Sequence, residues 1–392
     1  MSRPLNVRLN IGGRPALTGP TSDVDVSGGW VPDVWLGAPA PGGLALPPAT
    51  PSMAWMYSPR AVFLADDVLV VADSGNHRVL VWHGLPTRDE QPADVVLGQP
   101  DGTTEGRATN GPERGMNLPT GVLVHDGKLV VADAWHHRIL VWNTVPTASD
   151  TTADLVLGQA DPGSVEPNRG SGCSASTLYW PFGIAIVGDR FWVADTGNRR
   201  VLGWDGGLPT TTDRPADVVL GQPDAHHREE NRGGVVDAHS FRWPHAITGT
   251  DDLLLVADAG DHRVLGWQPH PDKDGPADLL FGQPGFDSAT EWPYGPHTGD
   301  RFRFPYAVAL DGGRLAVSDT ANNRILLWDA VPADGRAADH VLAQPTFASN
   351  GENRWSSVQH DTLCWPYGLS LRGDRLAVAD SGNNRVVLWR RE

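Results

Sequence analysis

One short pattern recurs six times along the chain, and this repetition limits the folds that the sequence can adopt. Every copy contains an Asp, an Arg five positions later and a Trp nine positions later, and a Pro stands fourteen positions before the Asp. The six aspartates are Asp73, Asp133, Asp195, Asp258, Asp319 and Asp380. Because the copies lie only 60 to 63 residues apart, the sequence predicts one array of repeats rather than several unrelated domains.

Each repeat contains four short segments that are typical of β-strands. In the first repeat they span residues 59–64, 68–73, 77–82 and 93–99, and they are rich in Val and Leu between turn-forming residues. Runs of this length and composition favour strands over helices. Four strands in each of six repeated units predict an all-β fold, a six-bladed β-propeller with four-stranded antiparallel blades.

The sixth repeat lacks its own fourth strand. A fourth-strand motif recurs five times, ending at Gln99, Gln159, Gln222, Gln283 and Gln344, whereas the sixth repeat ends at Trp389 with no such motif after it. A matching segment, Pro-Asp-Val-Trp-Leu-Gly-Ala-Pro, occupies residues 32–39. We therefore expect an N-terminal strand to complete the last blade, which removes the exposed sheet edges of an open array. Residues 30–392 then form one propeller, and residues 1–29 form an N-terminal extension.

The amino-acid composition limits the kinds of partner that the protein can bind. The formal charge of −16 argues against a nucleic-acid surface, which needs a basic footprint, and against anionic membranes. No signal-peptide core or membrane-length apolar stretch is present, and the two cysteines, Cys173 and Cys364, match no metal spacing. These features predict a cytoplasmic protein without structural disulfides.

Two motifs resemble those of the NHL-repeat family. Residues 119–122 read Pro-Thr-Gly-Val and residues 73–79 read Asp-Ser-Gly-Asn-His-Arg-Val, like the start and the core of an NHL repeat. The resemblance extends over nearly the whole chain after about residue 30 and implies a propeller. It does not fix the function, because this fold carries scaffolds, RNA-binding proteins and enzymes.

The six repeats separate scaffold residues from candidate site residues. The Asp, Arg and Trp of every repeat are expected to stabilise the blade, and the recurrent loop arginines (Arg107, Arg169, Arg232 and Arg354) to brace long loops. His77, His137 and His262, four residues after the Asp, are expected to line turns. The residue after each strand-opening proline varies and should lie at the mouth of the central channel; these residues are Arg60, Thr120, Phe182, His245, Tyr306 and Tyr367.

The channel-mouth residues form the candidate site, on the face that carries the long loops. We expect Arg60 and His245 to face each other, with Arg60 holding an anion and His245 serving as a general base or metal ligand. Tyr306 and Tyr367 would stack or donate protons, and Phe182 and Thr120 would contact the ligand. The alternative is that these side chains only plug the channel.

Other residues on this face are candidates for ligand or metal binding. Trp135, Trp292 and Tyr294 interrupt the repeat pattern and predict either a recognition surface or burial under their own loops. His239, His297 and His360 lie on successive loops and, with His245, could ligate zinc or copper; calcium is a further candidate. Pro244-His245 also resembles a metal-binding Pro-His of the amidating-lyase propellers.

Two functions remain open from the sequence. One is a lyase or hydrolase that acts on a small molecule or peptide at the channel mouth, with or without a metal. The other is a non-catalytic propeller whose decorated face binds a ligand or a partner protein.

Overall fold

Six antiparallel sheets of four strands surround a central channel in the computed structural model, which describes residues 26–38, 50–107, 109, 111–292, 296–333 and 335–392. Blade one comprises β2 (Ala61–Leu64), β3 (Val68–Asp73), β4 (Arg78–His83) and β5 (Val95–Leu97). Blade two comprises β6 (Gly121–His125), β7 (Lys128–Asp133), β8 (Arg138–Trp142) and β9 (Leu155–Leu157). Blade three comprises β10 (Pro181–Val187), β11 (Arg190–Asp195), β12 (Arg200–Trp204) and β13 (Val218–Leu220).

The remaining blades repeat this order. Blade four comprises β14 (Pro244–Gly249), β15 (Leu254–Asp258), β16 (Arg263–Trp267) and β17 (Leu279–Phe281). Blade five comprises β18 (Pro305–Asp311), β19 (Arg314–Asp319), β20 (Arg324–Trp328) and β21 (His340–Leu342). Blade six comprises β22 (Pro366–Arg372), β23 (Arg375–Asp380) and β24 (Arg385–Arg391), and its fourth strand is β1 (Trp30–Gly37). The predicted six-bladed, all-β propeller is therefore confirmed.

Short 3₁₀ segments are the helical elements of the described residues. Six of them follow the second strand of each blade: Ser74–Asn76, Ala134–His136, Thr196–Asn198, Ala259–Asp261, Thr320–Asn322 and Ser381–Asn383. Three more lie in the long loops: Pro167–Gly170, Glu230–Gly233 and Glu352–Trp355. In the described part of the chain, no helix has the length and apolar character needed to cross a membrane.

Strand β1 closes the ring as the sequence predicts. It pairs antiparallel with β24, from Trp30 opposite Arg391 to Gly37 opposite Arg385, with one irregularity between Pro32 and Val34. The innermost strands then follow one another around the channel, and β2 contacts both β22 and β6. The first and last blades are thus neighbours, and this junction is built like the others.

The fourth strands are shorter than predicted. In blade one the strand ends at Leu97, because Gly98 adopts a φ of +87° and turns the chain away from the sheet. A Cβ at this position would lie 2.8 Å from the Met116 side chain. The sequence predicts that this strand continues to residue 99, because the Gly and Gln recur after the same segment in the other repeats. The Gln instead holds the loop, and Gln99 Nε2 donates to the Gly106 carbonyl at 2.7 Å.

The recurrent Asp and Arg form a buried ion pair in every blade. In blade one the Arg78 Nε lies 2.7 Å from the Asp73 Oδ2, and both side chains are fully buried. The guanidinium also donates to the carbonyls of Gly102, Ser52 and Trp55. A buried charge is tolerated only when it is paired and hydrogen-bonded, so these contacts match the predicted scaffold role.

A second recurrent contact ties each blade to the next. The backbone N–H of the residue before the strand-opening proline donates to the side chain of the residue four positions after the Asp of the preceding blade. The acceptors at five junctions are His77, His137, His262, Asn323 and Asn384, at distances of 2.9 to 3.2 Å. We call this contact the interblade hydrogen bond. The turn histidines therefore line turns as predicted, and each also accepts a bond from the neighbouring blade.

Candidate functional site

The residues after the strand-opening prolines point into the channel because they occupy irregular positions in the innermost strands. In β14, Pro244 is paired with Asp258 and Ala246 with Ala257, so His245 between them has no partner in β15. The same shift occurs in β10, β18 and β22. Such bulges re-aim a side chain, and here they direct it toward the axis.

Four of these residues stack in blade order. The ring centroids of Phe182 and His245 are 4.4 Å apart, those of His245 and Tyr306 are 4.5 Å apart, and those of Tyr306 and Tyr367 are 4.5 Å apart. These distances are within the range of favourable aromatic contacts. The channel mouth is therefore lined by a continuous arc of rings.

Arg60 and Trp135 close this arc into a ring. The Arg60 guanidinium carbon lies 5.2 Å from the Tyr367 ring centroid and 5.7 Å from that of Trp135. Trp135 in turn contacts Phe182 edge-on, with ring centroids 5.8 Å apart. We call the six side chains the aromatic collar: Arg60, Trp135, Phe182, His245, Tyr306 and Tyr367.

Thr120 holds the blade-two position but takes no part in the collar. Its hydroxyl donates to the Pro181 carbonyl, 3.1 Å away, and the side chain is 7% exposed. This bond joins blade two to blade three. Trp135, from the turn after β7, occupies the place in the collar that the sequence assigned to Thr120.

The positive charge of the collar at physiological pH is carried by Arg60. Burial, with a smaller contribution from the Arg60 charge, lowers the pKa of His245 to about 3, so its imidazole is neutral at physiological pH. Burial and the neighbouring Tyr367 raise the pKa of Tyr306 above its usual value. Arg60 thus provides the cation of the collar, and its Nε is buried with no hydrogen-bond partner among the described residues.

A narrow cavity of about 100 Å³ continues from the collar into the channel. Its walls are residues of the innermost strands together with Arg60, Thr120, His245 and the two tyrosines. That volume accommodates a few water molecules. A ligand larger than this must therefore bind on the outer side of the collar.

A larger apolar cavity of about 210 Å³ lies beside the collar, at the junction of blades three and four. We call it the interblade pocket, and its principal lining residues are Trp135, Trp180, Phe182, Arg199, Trp243 and His245. Trp180, Trp243 and Arg199 are not among the site residues predicted from the sequence. The signal was present, since aromatic residues precede the strand-opening proline in four repeats and Arg199 breaks the His/Asn pattern of the turns.

The predicted cluster of four histidines does not form. His239 lies 3.8 Å from the Asp274 carboxylate, His297 lies 2.8 Å from the Asn350 side-chain nitrogen, and the His360 ring packs on Trp35 of β1. The loop histidines thus contact three separate partners, while His245 stacks in the collar. No group of three or more metal-ligating side chains occurs in the described portion of the chain. The expected zinc, copper or calcium site has no support in these contacts.

The Trp292 ring packs under Arg301 of its own loop, with the guanidinium carbon 5.6 Å from the ring centroid. Tyr294 lies outside the described residues. Both cysteines are free thiols; burial raises the pKa of Cys173, and burial raises the pKa of Cys364 to about 12. Neither thiol is activated as a nucleophile.

Two curated proteins are similar to this chain over most of its length. NHL repeat-containing protein 2 of Gallus gallus is 26% identical over 343 residues, which cover 81% of this chain and 44% of that protein. The Homo sapiens protein of the same name is 24% identical over 339 residues, covering 82% and 44%. With six closed blades, this similarity supports an NHL-repeat β-propeller.

This NHL-repeat propeller spans about 44% of the length of the curated relatives that it matches. No family model matches it. Among solved structures, virginiamycin B lyase from Staphylococcus aureus has a TM-score of 0.42 and 12% identity, covering 85% of this chain and 94% of that chain. The WD40 propeller domain of Doa1 has a TM-score of 0.46 and 11% identity, covering 93% and 98%. These two similarities support no statement about function.

Proposed function

We propose that this propeller is a ligand-binding module that holds a small anionic molecule over the aromatic collar, on the face of the long loops. The observation that supports it is the state of Arg60. Its guanidinium lies between two aromatic rings, and its buried Nε has no hydrogen-bond partner among the described residues. An incoming carboxylate or phosphate would supply the missing acceptor.

The physical argument rests on the cost of an unpaired buried donor. A buried polar group without a partner destabilises the folded state by about 1–3 kcal/mol, and a ligand that satisfies it gains a charge-assisted hydrogen bond. Arginine presents a planar fork that matches carboxylate and phosphate oxygens. The surrounding rings of Trp135 and Tyr367 keep this fork oriented and partly shielded from water.

The collar supports binding better than it supports catalysis. A general base acts best with a pKa near the working pH, whereas His245 has a pKa of about 3 and no carboxylate orients its ring among the described residues. The raised pKa of Tyr306 makes that phenol a poor proton donor. The lyase or hydrolase activity expected from the sequence is therefore the alternative that the following experiment also tests.

The experiment compares anion binding by the intact protein and by two charge-removing variants. A panel of small carboxylates and phosphates is titrated calorimetrically against wild-type protein, Arg60→Met and Arg372→Met. Arg372 lies at the opposite end of the channel, so its variant controls for net charge. We expect Arg60→Met to weaken binding at least roughly tenfold and Arg372→Met to have no effect. Equal effects of both variants, or no saturable anion binding, would refute the proposal. Product formation from a bound anion would instead support the enzyme.

A further inference from the structure

The junction between blades three and four lacks the interblade hydrogen bond that joins the other blades. The residue four positions after Asp195 is Arg199, and a guanidinium has no acceptor atom to offer. Its NH1 donates to the Gly197 carbonyl at 2.7 Å, and its Nε is buried with no hydrogen-bond partner among the described residues. The N–H of Trp243, which would donate to this residue, must therefore bond elsewhere.

The chain around Trp243 adjusts to this loss. Its N–H donates to the Asp258 Oδ1 at 3.0 Å, the atom that also accepts from the Arg242 N–H at 3.1 Å. At the other five junctions the residue before the proline has a φ between +48° and +51°, but Trp243 does not share this left-handed conformation. In the other blades, the N–H two positions after the recurrent Asp donates to the carbonyl two positions before the strand-opening proline. In blade four this bond shifts by one residue at each end, and the Ala259 N–H donates to the Trp243 carbonyl.

The interblade pocket lies at this altered junction. Its apolar walls include the indoles of Trp180 and Trp243, and Arg199 is the charged residue among its described lining. A cavity of about 150 Å³ is large enough to bind benzene, so about 210 Å³ accommodates an aromatic ring with a substituent. Arg199 lines that space, and because its Nε has no hydrogen-bond partner among the described residues, the guanidinium can supply a donor to a ligand.

We infer that the interblade pocket is a binding site for a planar aromatic acid, with its ring against Trp180 and Trp243 and its acidic group on Arg199. The site shares Trp135, Phe182 and His245 with the collar, but Arg60 does not line it. The group that would bind the acid is therefore Arg199 rather than Arg60, and the two proposals fail separately. Aromatic stacking would supply affinity, and the guanidinium would select the charged form.

The test uses a charged probe and its uncharged counterpart. Calorimetric titration with 2-naphthoate and 2-naphthamide is carried out on the intact protein, Arg199→Met and Arg60→Met. Wild-type protein should bind 2-naphthoate at least roughly tenfold more tightly than 2-naphthamide. Arg199→Met should abolish that preference and keep the amide affinity, whereas Arg60→Met, which removes a charge that does not line the pocket, should keep the preference for 2-naphthoate over 2-naphthamide.

A second variant tests the structural cause of the pocket. Arg199→Asn supplies the acceptor found at Asn323 and Asn384, so Trp243 should adopt the left-handed conformation of its counterparts. We expect this variant to lose binding of both probes while its melting temperature stays equal or rises. Failure of the wild type to bind 2-naphthoate saturably would overturn the inference. So would equal binding of the two probes by wild type, or a loss of binding caused by Arg60→Met but not by Arg199→Met.

Discussion

The Nδ1 atom of His137 accepts a hydrogen bond from the backbone N–H of Trp180 at 3.2 Å, and this contact joins blade two to blade three. The imidazole must be neutral to accept it. Burial lowers the pKa of His137 to about 4, and burial likewise lowers the pKa of His262, which accepts from Phe304, to about 4. The integrity of these two blade junctions thus depends on neutral histidines, as does that of the junction at His77, whose pKa burial also lowers.

The first prediction is a loss of stability in mild acid. Because the pKa of each histidine is lower in the folded protein than its ordinary 6.5, the unfolded chain binds the proton first as the pH falls. Stability is fully present above pH 6.5 and decreases toward pH 4, by on the order of 3 kcal/mol for each histidine. Denaturant unfolding measured from pH 7.5 to 4.5 checks this.

The matched control replaces the histidines by the residue found at two other junctions. His137→Asn with His262→Asn keeps an acceptor, as in Asn323 and Asn384, but removes the titration. We expect this double variant to show a clearly flatter dependence of unfolding free energy on pH. An unchanged slope would mean that other groups cause the acid sensitivity.

The second prediction concerns Arg78, the scaffold arginine of blade one. Arg78→Ala leaves the fully buried Asp73 carboxylate without its partner and should lower the unfolding free energy by about 3–5 kcal/mol. Anion binding by the folded fraction should not change. Chemical denaturation and calorimetry on the same sample measure both. A variant of wild-type stability that no longer binds anions would show that Arg78 belongs to the site.

The third prediction concerns the strand that closes the ring. Leu36 is fully buried in β1, within the core between blades six and one. Leu36→Ala should therefore lower stability by about 2–5 kcal/mol, whereas Asp33→Ala, at an exposed position of the same strand, should change it by less than about 0.5 kcal/mol. Equal melting temperatures for the two variants would contradict the closure by β1.

The fourth prediction follows from an acidic residue in blade four. Asp261 stands where four other blades have an Asn that donates to the recurrent Asp, as Asn76 does to Asp73, and where blade two has His136. Burial and the Asp258 charge raise the pKa of Asp261 to about 7. Because this pKa is higher than in the unfolded chain, the folded protein loses stability as the pH rises from about 4 to 7 and the carboxyl loses its proton. Asp261→Asn should therefore be more stable at pH 8, by about 1–3 kcal/mol. Lower stability there would contradict this explanation.

The sequence predicts the fold well because the repeats encode it locally. The Asp73–Arg78 pair, the strand pattern and the match of residues 32–39 to a fourth strand all follow from spacing. Five of the six collar positions could be selected because each follows a proline at the same point of its blade, and Trp135 because it breaks the pattern of the turns. Strand length could not be predicted as well, since residues such as Gly98 end the strand through backbone conformation.

The remaining parts of the site depend on contacts that spacing does not specify. His239, His297 and His360 occur in comparable loops, but the direction of each side chain depends on local partners such as Asn350 and Trp35. The interblade pocket lies at the junction where Arg199 cannot accept the interblade hydrogen bond. Identifying it requires knowing that the donor is the backbone of Trp243, in the next blade.

The closure by β1 also imposes an order on the folding of this chain. Blades one to five can form from consecutive residues, but the Gly28 carbonyl and Arg391 Nε, which are hydrogen-bonded across the last blade, are 363 positions apart. During synthesis the edge of β1 stays unpaired until β24 has been made. Contacts this distant in sequence form slowly and late. The new chain is therefore most exposed to aggregation in the period before β1 pairs with β24.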